Sequence, residues 1–260
     1  MAIQVIVMGA LGRMGSTIVN MVKNDPVFEL TGCVVLEGEL GNAKGTGFPV
    51  SAWLEDLLER APQATILDFT TATASVQTAE IAAKSGARHV IGTTGFTANQ
   101  KKYIARFARQ TPIFLSPNMS VGVNVLLKIL PDLTRLLGDQ YDLEMMEIHH
   151  NKKRDSPSGT ALRLAECLAE AREWELRDTA CYHREGMIGE RPAKQLGIQT
   201  LRGGDVVGDH TVYFFGPGER ISITHQAHSR ENFAKGALRA ARWLQDQPAG
   251  KIYSMQDMLR

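Results

Sequence analysis

The chain has 260 residues, 43% hydrophobic and 22% charged, enough for one large or two modest domains with full cores. A net charge of +1 provides no field that would draw nucleic acid or an anionic membrane. The opening run MAIQVIVMGALG is too short to span a bilayer and lacks a basic leader, and Cys33, Cys167 and Cys181 have neither disulfide nor metal spacing. The expectation is a reduced, cytoplasmic protein without a metal site.

The first 120 residues alternate short β-branched runs with longer helical patterns. IQVIVMG (3–9), ELTGCVV (29–35), ATILDFT (64–70), HVIGTT (89–94) and IFLSPN (113–118) have the unbroken apolar character of strands buried on both faces. Helical stretches separate them: the segment after Gly12, WLEDLLERA, TASVQTAEIAAKSG with Gly86 placed as its C-terminal cap, and NQKKYIARFARQ. This alternation specifies an α/β domain, a Rossmann-type doubly wound parallel sheet covered on both faces.

GALGRMG (9–15) follows the first strand and opens the first helix. A dinucleotide pyrophosphate needs such a segment: a tight turn, backbone without Cβ where phosphate approaches, and N–H groups at a helix start. Gly9, Ala10, Leu11, Gly12, Arg13 and Met14 are the candidate contacts. Glu37 ends the second β run, where a carboxylate accepts the ribose hydroxyls of the adenosine. GTTG (92–95) and SPNMS (116–120) close later strands, which makes Gly92, Thr93, Thr94, Ser116, Pro117, Asn118 and Met119 candidates for the nicotinamide end. The 2′-phosphate of NADPH would meet the Glu37 carboxylate, Gly38 follows, and Arg13 and Lys44 are the nearest cations. NADH is therefore expected to be used well, with NADPH also accepted.

The chain changes character after residue 121. VNVLLKILPDLTRLLG (123–138) is a long helix that Pro131 is expected to kink or divide. A strand, DLEMMEIHH (142–150), and a helix, TALRLAECLAEAREW (160–174), follow. The runs IQTLR, HTVYFF and RISITHQAH lie between residues 198 and 228, joined closely enough by glycine turns that antiparallel pairing is expected. Residues 122–229 thus read as an α+β unit with a mixed sheet, and FAKGALRAARWL (233–244) as an amphipathic closing helix.

EIHHNKKRDSPSGTA (147–161) concentrates proton donors beside an anion site. His149 and His150 end a strand and point to opposite faces, and Lys153 can swing toward the same cleft. Asp155 is placed to orient an imidazole or cap the turn. Ser156-Pro157 reads as a helix cap and first residue, leaving the N–H groups of Ser158, Gly159 and Thr160 for a carboxylate or phosphate. Adjacent strand histidines diverge, which disfavours a metal. The pattern suits a small anionic substrate that must be protonated.

This stretch resembles the signature of the dihydrodipicolinate reductase family. Further similarity runs in order along nearly the whole chain: GALGRMG, DFT (68–70), VIGTTGF (90–96), SVGVN (120–124), REG (184–186), RGGDVVGDHTV (202–212) and ITHQAHSRENFAKGA (223–237). The resemblance implies NADH- or NADPH-dependent reduction of a cyclic imine dicarboxylate to tetrahydrodipicolinate, in lysine and diaminopimelate biosynthesis. It implies His149 as general acid/base, Lys153 as proton donor, His150 as a substrate contact, and Gly159 and Thr160 as holders of a carboxylate. It also implies that residues 230–260 complete the dinucleotide-binding domain of residues 1–121. Residues 122–229 would then bind substrate and join a homotetramer. Members often carry a basic residue after the ribose-binding acid, where this chain has Gly38.

Arg202 before a Gly-Gly turn is a weaker candidate for holding a carboxylate, and His89 and His210 read as structural or exposed. Two alternatives share the first 120 residues' design: another two-domain nicotinamide amino-acid dehydrogenase, and a dinucleotide sensor without chemistry. The sensor needs neither the acid nor the ammonium, and the dehydrogenase need not place both before a Ser-Gly-Thr cradle.

Overall fold

A computed structural model describes residues 1–43 and 47–260, so Lys44, one of the cations considered near Glu37, lies outside the described residues. The N-terminal half runs β1 (Ile3–Met8), α1 (Arg13–Lys23), β2 (Phe28–Val34), β3 (Val50–Ser51), α2 (Leu54–Leu58) and β4 (Thr65–Asp68). It continues through α3 (Ala72–Ser85), β5 (Arg88–Ile91), α4 (Ala98–Phe107) and β6 (Ile113–Leu115). Then come α5 (Val121–Leu137), β7 (Asp142–His149), α6 (Gly159–Ala171), α7 (Leu176–Thr179) and β8 (Ala180–Cys181). The chain ends with β9 (Leu196–Arg202), β10 (Gly208–Gly216), β11 (Glu219–Ala227), α8 (Glu231–Trp243), β12 (Ile252–Tyr253) and α9 (Met255–Met258). Two units separate: Met1–Val121 with Arg230–Arg260, and Gly122–Ser229.

The first unit is a parallel sheet in the order β12-β6-β5-β4-β1-β2-β3. Alternation along each strand feeds two apolar layers. Val5, Val7, Leu67, Val90 and Phe114 pack with α1 and α8, while Ile6, Ile66, Ile91 and Ile113 face the α2, α3 and α4 side. This is why the strands read as unbroken apolar runs, and the doubly wound expectation is met. The two-residue strands β3 and β12 extend the sheet edges and are too short to carry a readable pattern, although Val50 and Tyr253 pack into the same apolar layer as α1 and α8.

The second unit is a five-stranded sheet, β11-β10-β7-β9-β8. Antiparallel pairing holds for β10 with β11, but β9 does not pair with β10: β7 lies between them, parallel to β9 and antiparallel to β10. The short 203–207 loop instead arches over the end of β7, where Gly203 N–H donates to His149 C=O and His150 N–H to Val206 C=O. Pro131 does not divide α5. Proline removes the N–H that would reach the carbonyl of Leu127, and the Cys167 Sγ donates there instead, at 3.6 Å.

Helix α8 meets the loop after β6 so closely that a Cβ on Gly236 would stand 1.7 Å from the Met119 carbonyl oxygen. Because that neighbour is backbone, Gly236→Ala is expected to destabilise the protein by roughly 1–3 kcal/mol, as overpacking does, seen as a lowered thermal midpoint.

Candidate active site

Strand β7 turns Leu143, Met145, Glu147 and His149 to one side, toward α5 and α6. Register sets Met145 between Ile198 and Val212, Glu147 between Thr200 and His210, and His149 beside Arg202. One sheet face thus changes from apolar to ionisable over two residues.

Glu147 is fully buried, and its Oε2 lies 2.5 Å from His149 Nδ1. Arg202 donates to both of its oxygens at 2.9 Å, Ser158 N–H donates to Oε1 at 2.9 Å, and Thr200 Oγ1 at 3.3 Å. Burial pushes the Glu147 carboxyl up, but hydrogen bonds from Arg202, His149 and Ser158 outweigh it, and the pKa lies below the ordinary value. Arg202, considered for a substrate carboxylate, is therefore committed to Glu147. Burial pulls His149 below 6.5 against the opposing pull of Glu147, with Lys153 and Arg202 adding to the depression.

Lys153 Nζ donates to both carboxylate oxygens of Asp155, at 2.8 and 2.9 Å. Asp155 holds the ammonium and touches no imidazole, and its carbonyl accepts from Arg202 at 2.7 Å. His150 accepts the Lys152 N–H on Nδ1 at 3.2 Å, so the neutral ring carries its proton on Nε2. Ser158, not Ser156, caps α6, and Pro157 precedes the cap. The Ser158 hydroxyl accepts from Ala161 N–H and pairs with His210 Nε2, both at 3.1 Å. Ser158 is buried with its amide and hydroxyl both engaged, so it serves as the helix cap; Gly159 and Thr160 open the helix, with no acid in its first turn.

In the other unit the strand order reverses between β1 and β4, where α/β sheets open a crevice. Gly9 takes φ +62° there, and a Cβ on Gly15 would lie 2.1 Å from the Gly9 carbonyl oxygen. No side chain caps α1 at Gly12 and its first turn has no acid, which leaves the positive end of the helix for an anion. Leu11, Gly12 and Arg13 are exposed, Met14 is half-buried and Ala10 is buried. Ala10 and Leu11 share a cavity with Val35, Ala43 and Phe48. These residues fit the pyrophosphate half of a dinucleotide. Glu37 is exposed, but it opens a 3₁₀ turn beyond the end of β2, not the strand end expected.

Of the later loops, Gly92 packs against Phe69, whose ring a Cβ would meet at 2.1 Å, and Thr94 is exposed. The Thr93 hydroxyl points inward, accepting from Thr70 N–H at 3.0 Å and Ser75 Oγ at 2.9 Å. Ser116 Oγ donates to Asn118 C=O, the Asn118 side chain accepts from Ser120 N–H, Pro117 is exposed and Met119 is buried.

Residues 3–119 match the family model for the dihydrodipicolinate reductase N-terminus, and residues 122–259 the one for its C-terminus. The chain belongs to the dihydrodipicolinate reductase family. This reductase is 62% identical to the 4-hydroxy-tetrahydrodipicolinate reductase of Oleidesulfovibrio alaskensis over 100% of both chains. It is 49% identical to that of Lawsonia intracellularis, again over 100% of both. A dipicolinate-bound dihydrodipicolinate reductase from a Paenisporosarcina species shares the fold, with TM-score 0.78 at 24% identity over 98% of each chain. No described helix is long and apolar enough to cross a membrane, and among the described residues no cluster of His, Cys, Asp or Glu is placed to hold a metal ion.

Sequence reading of the reductase passed over Glu147 as a partner of His149, although it stands two residues before it and so on the same strand face. It also missed Gly208, where a Cβ would lie 2.8 Å from His149 Nε2. Of the structural and exposed readings of His89 and His210, burial of both excludes the exposed one. Burial pushes the His210 pKa down to about 4. Between pH 6.5 and about 4 the unfolded chain binds the extra proton, so this stability is present above 6.5 and is lost as pH falls through that window. Denaturant unfolding at pH 7 and pH 5 is expected to show that loss. His210→Gln should make it shallower without abolishing it, because His149 and His225 are also depressed.

Proposed function

We propose that His149 and Lys153 carry the proton chemistry of the family's reaction, while the start of α6 and His150 hold the substrate. The reaction is NAD(P)H-dependent reduction of 4-hydroxy-tetrahydrodipicolinate to tetrahydrodipicolinate, the step of lysine and diaminopimelate biosynthesis named for relatives that match this chain end to end. The bound dinucleotide supplies the hydride. As hydride reaches C4 of the conjugated imine form of the substrate, an electron pair moves toward the ring nitrogen and C5 must then gain a proton. The Lys153 ammonium stabilises the charge that develops on nitrogen, and His149 serves as the acid. Gly159 and Thr160 offer helix N-terminal amides to one carboxylate, and His150 offers its Nε2–H to the substrate. The observation that carries this reading is the gathering of His149, Lys153 and the α6 start around the Arg202–Glu147 pair.

The cofactor sits on Gly9 to Met14 and on the loops at Gly92–Thr94 and Ser116–Met119. Glu37, followed by Gly38, favours the free ribose hydroxyls of NADH over a 2′-phosphate. Apolar groups on the sheet face opposite α5 and α6, including Met146, Ile148, Leu201, Tyr213 and Phe215, support a homotetramer formed through these sheets. Its expected mass by light scattering is four times 28.6 kDa; a monomer would remove this assignment.

Substrate made in situ from pyruvate and aspartate semialdehyde, with oxidation followed at 340 nm, tests the chemistry. NADH is expected to be oxidised at least as efficiently as NADPH. His149→Ala and Lys153→Ala should each lower kcat by about 100-fold or more, the usual scale of acid-base catalysis, while NADH binding is kept. Equal loss of binding and rate would overturn the roles of both residues.

A further inference from the structure

We infer that Glu147 is a positioning residue, whose buried carboxylate fixes His149 as the tautomer protonated on Nδ1 and presents Nε2 to the substrate. This deepens the reading of His149 as the acid and rests on it. An ionised carboxylate only accepts hydrogen bonds, so at 2.5 Å from Oε2 the His149 Nδ1 must be the donor. The carboxylate cannot turn away, because Arg202 grips both oxygens and the Ser158 amide holds one of them. Nε2 is left as the working nitrogen. Gly208 keeps that edge uncovered, since any Cβ at 208 would stand 2.8 Å from it.

The charge matters as much as the direction. The titratable and charged groups set around the imidazole are Glu147 on its own strand, Arg202 on β9, His210 on β10 and Lys153 in the loop. Glu147 is the anion in direct contact with a ring that two cations and burial otherwise hold neutral. It stabilises the imidazolium from which Nε2–H passes a proton to the substrate carbon, and solvent returns that proton afterwards. Glu147 stays ionised throughout, held by Arg202. The same carboxylate, through the Ser158 amide, ties the acid to the helix start that receives the substrate carboxylate.

Glu147→Gln tests both parts, because its amide donates to Nδ1 and imposes the other tautomer. The thermal midpoint is expected to fall, because Arg202 loses its anion, while NADH affinity stays close to wild type and kcat falls about 100-fold or more, as for an acid left in the wrong tautomer. The pH limb that vanishes in His149→Gln should move to lower pH in Glu147→Gln. Stability loss alone, with kcat within about threefold of wild type and that limb unmoved, would make Glu147 scaffold only and overturn the inference. Nitrogen NMR of the wild-type imidazoles, with His149→Gln identifying the signal, decides the matter even if the variant does not fold: proton on Nδ1 supports it, proton on Nε2 overturns it. Full activity in His149→Gln would sink the acid assignment itself. Loss of rate in His149→Gln beside normal kinetics in Glu147→Gln would sink only the positioning role.

Discussion

A carboxylate buried on a sheet face costs several kcal/mol of desolvation unless cations and donors close around it. Glu147 imposes that constraint on the substrate unit. Its partners come from β7 itself, β9 and the start of α6, so satisfying one side chain fixes how three elements meet. Arg202 completes the arrangement by donating also to the Asp155 carbonyl, which brings the loop carrying Lys153 under the same control. Losing any one partner leaves the charge underpaired, which is why the corner holds together as a network and not as separate bonds.

The dinucleotide unit repeats the device with different chemistry. Asp68, also fully buried, ends β4 and accepts Thr70 N–H at 3.0 Å and Thr70 Oγ1 at 2.6 Å, with His89 Nε2 3.2 Å away. Burial raises its pKa, but the bonds from His89, Thr70 and Ser75 leave it below the ordinary value. Thr93 bridges Thr70 and Ser75, so the loops after β4 and β5 hang from one carboxylate. The Thr93 hydroxyl is spent on the scaffold, and any contact with a ring at this strand end falls to backbone and to exposed Thr94. Both units therefore fix mobile-looking, hydroxyl-rich loops by an acid buried at a strand end beside a histidine.

How much of this could be read from the sequence depended on the range of the interaction. Strand-helix alternation was legible because β1, β4, β5 and β6 are buried on both faces, and burial writes itself into consecutive residues. The glycines at 9, 12 and 15 were legible for a similar reason, since the turn and the close approach of Gly15 to Gly9 are local. Pro131 was expected to kink or divide α5, and the division fails because the carbonyl that proline leaves unpaired is answered by Cys167 from α6. The pairing of β9 misled because a short loop suggests neighbouring strands, yet β7 had to enter between β9 and β10 to complete the sheet.

The functional stretch shows the same boundary at finer scale. Residue types were informative: two histidines, a lysine and a Ser-Gly-Thr start supply the groups that the proposed acid, ammonium and anion cradle need, wherever each side chain points. Partners were not, because they are set by register across the sheet. Asp155 pairs with Lys153 and Arg202 with Glu147, and Glu147 meets His149 because both lie on the same side of β7. A slip of β9 by one residue would send Arg202 to the other face, strand the Glu147 charge and release the loop that carries Lys153. The apolar half of that same face, Leu143, Met145, Ile198 and Val212 beneath α5 and α6, forbids the slip. Core packing at one end of the sheet thus sets the ion pairing at the other.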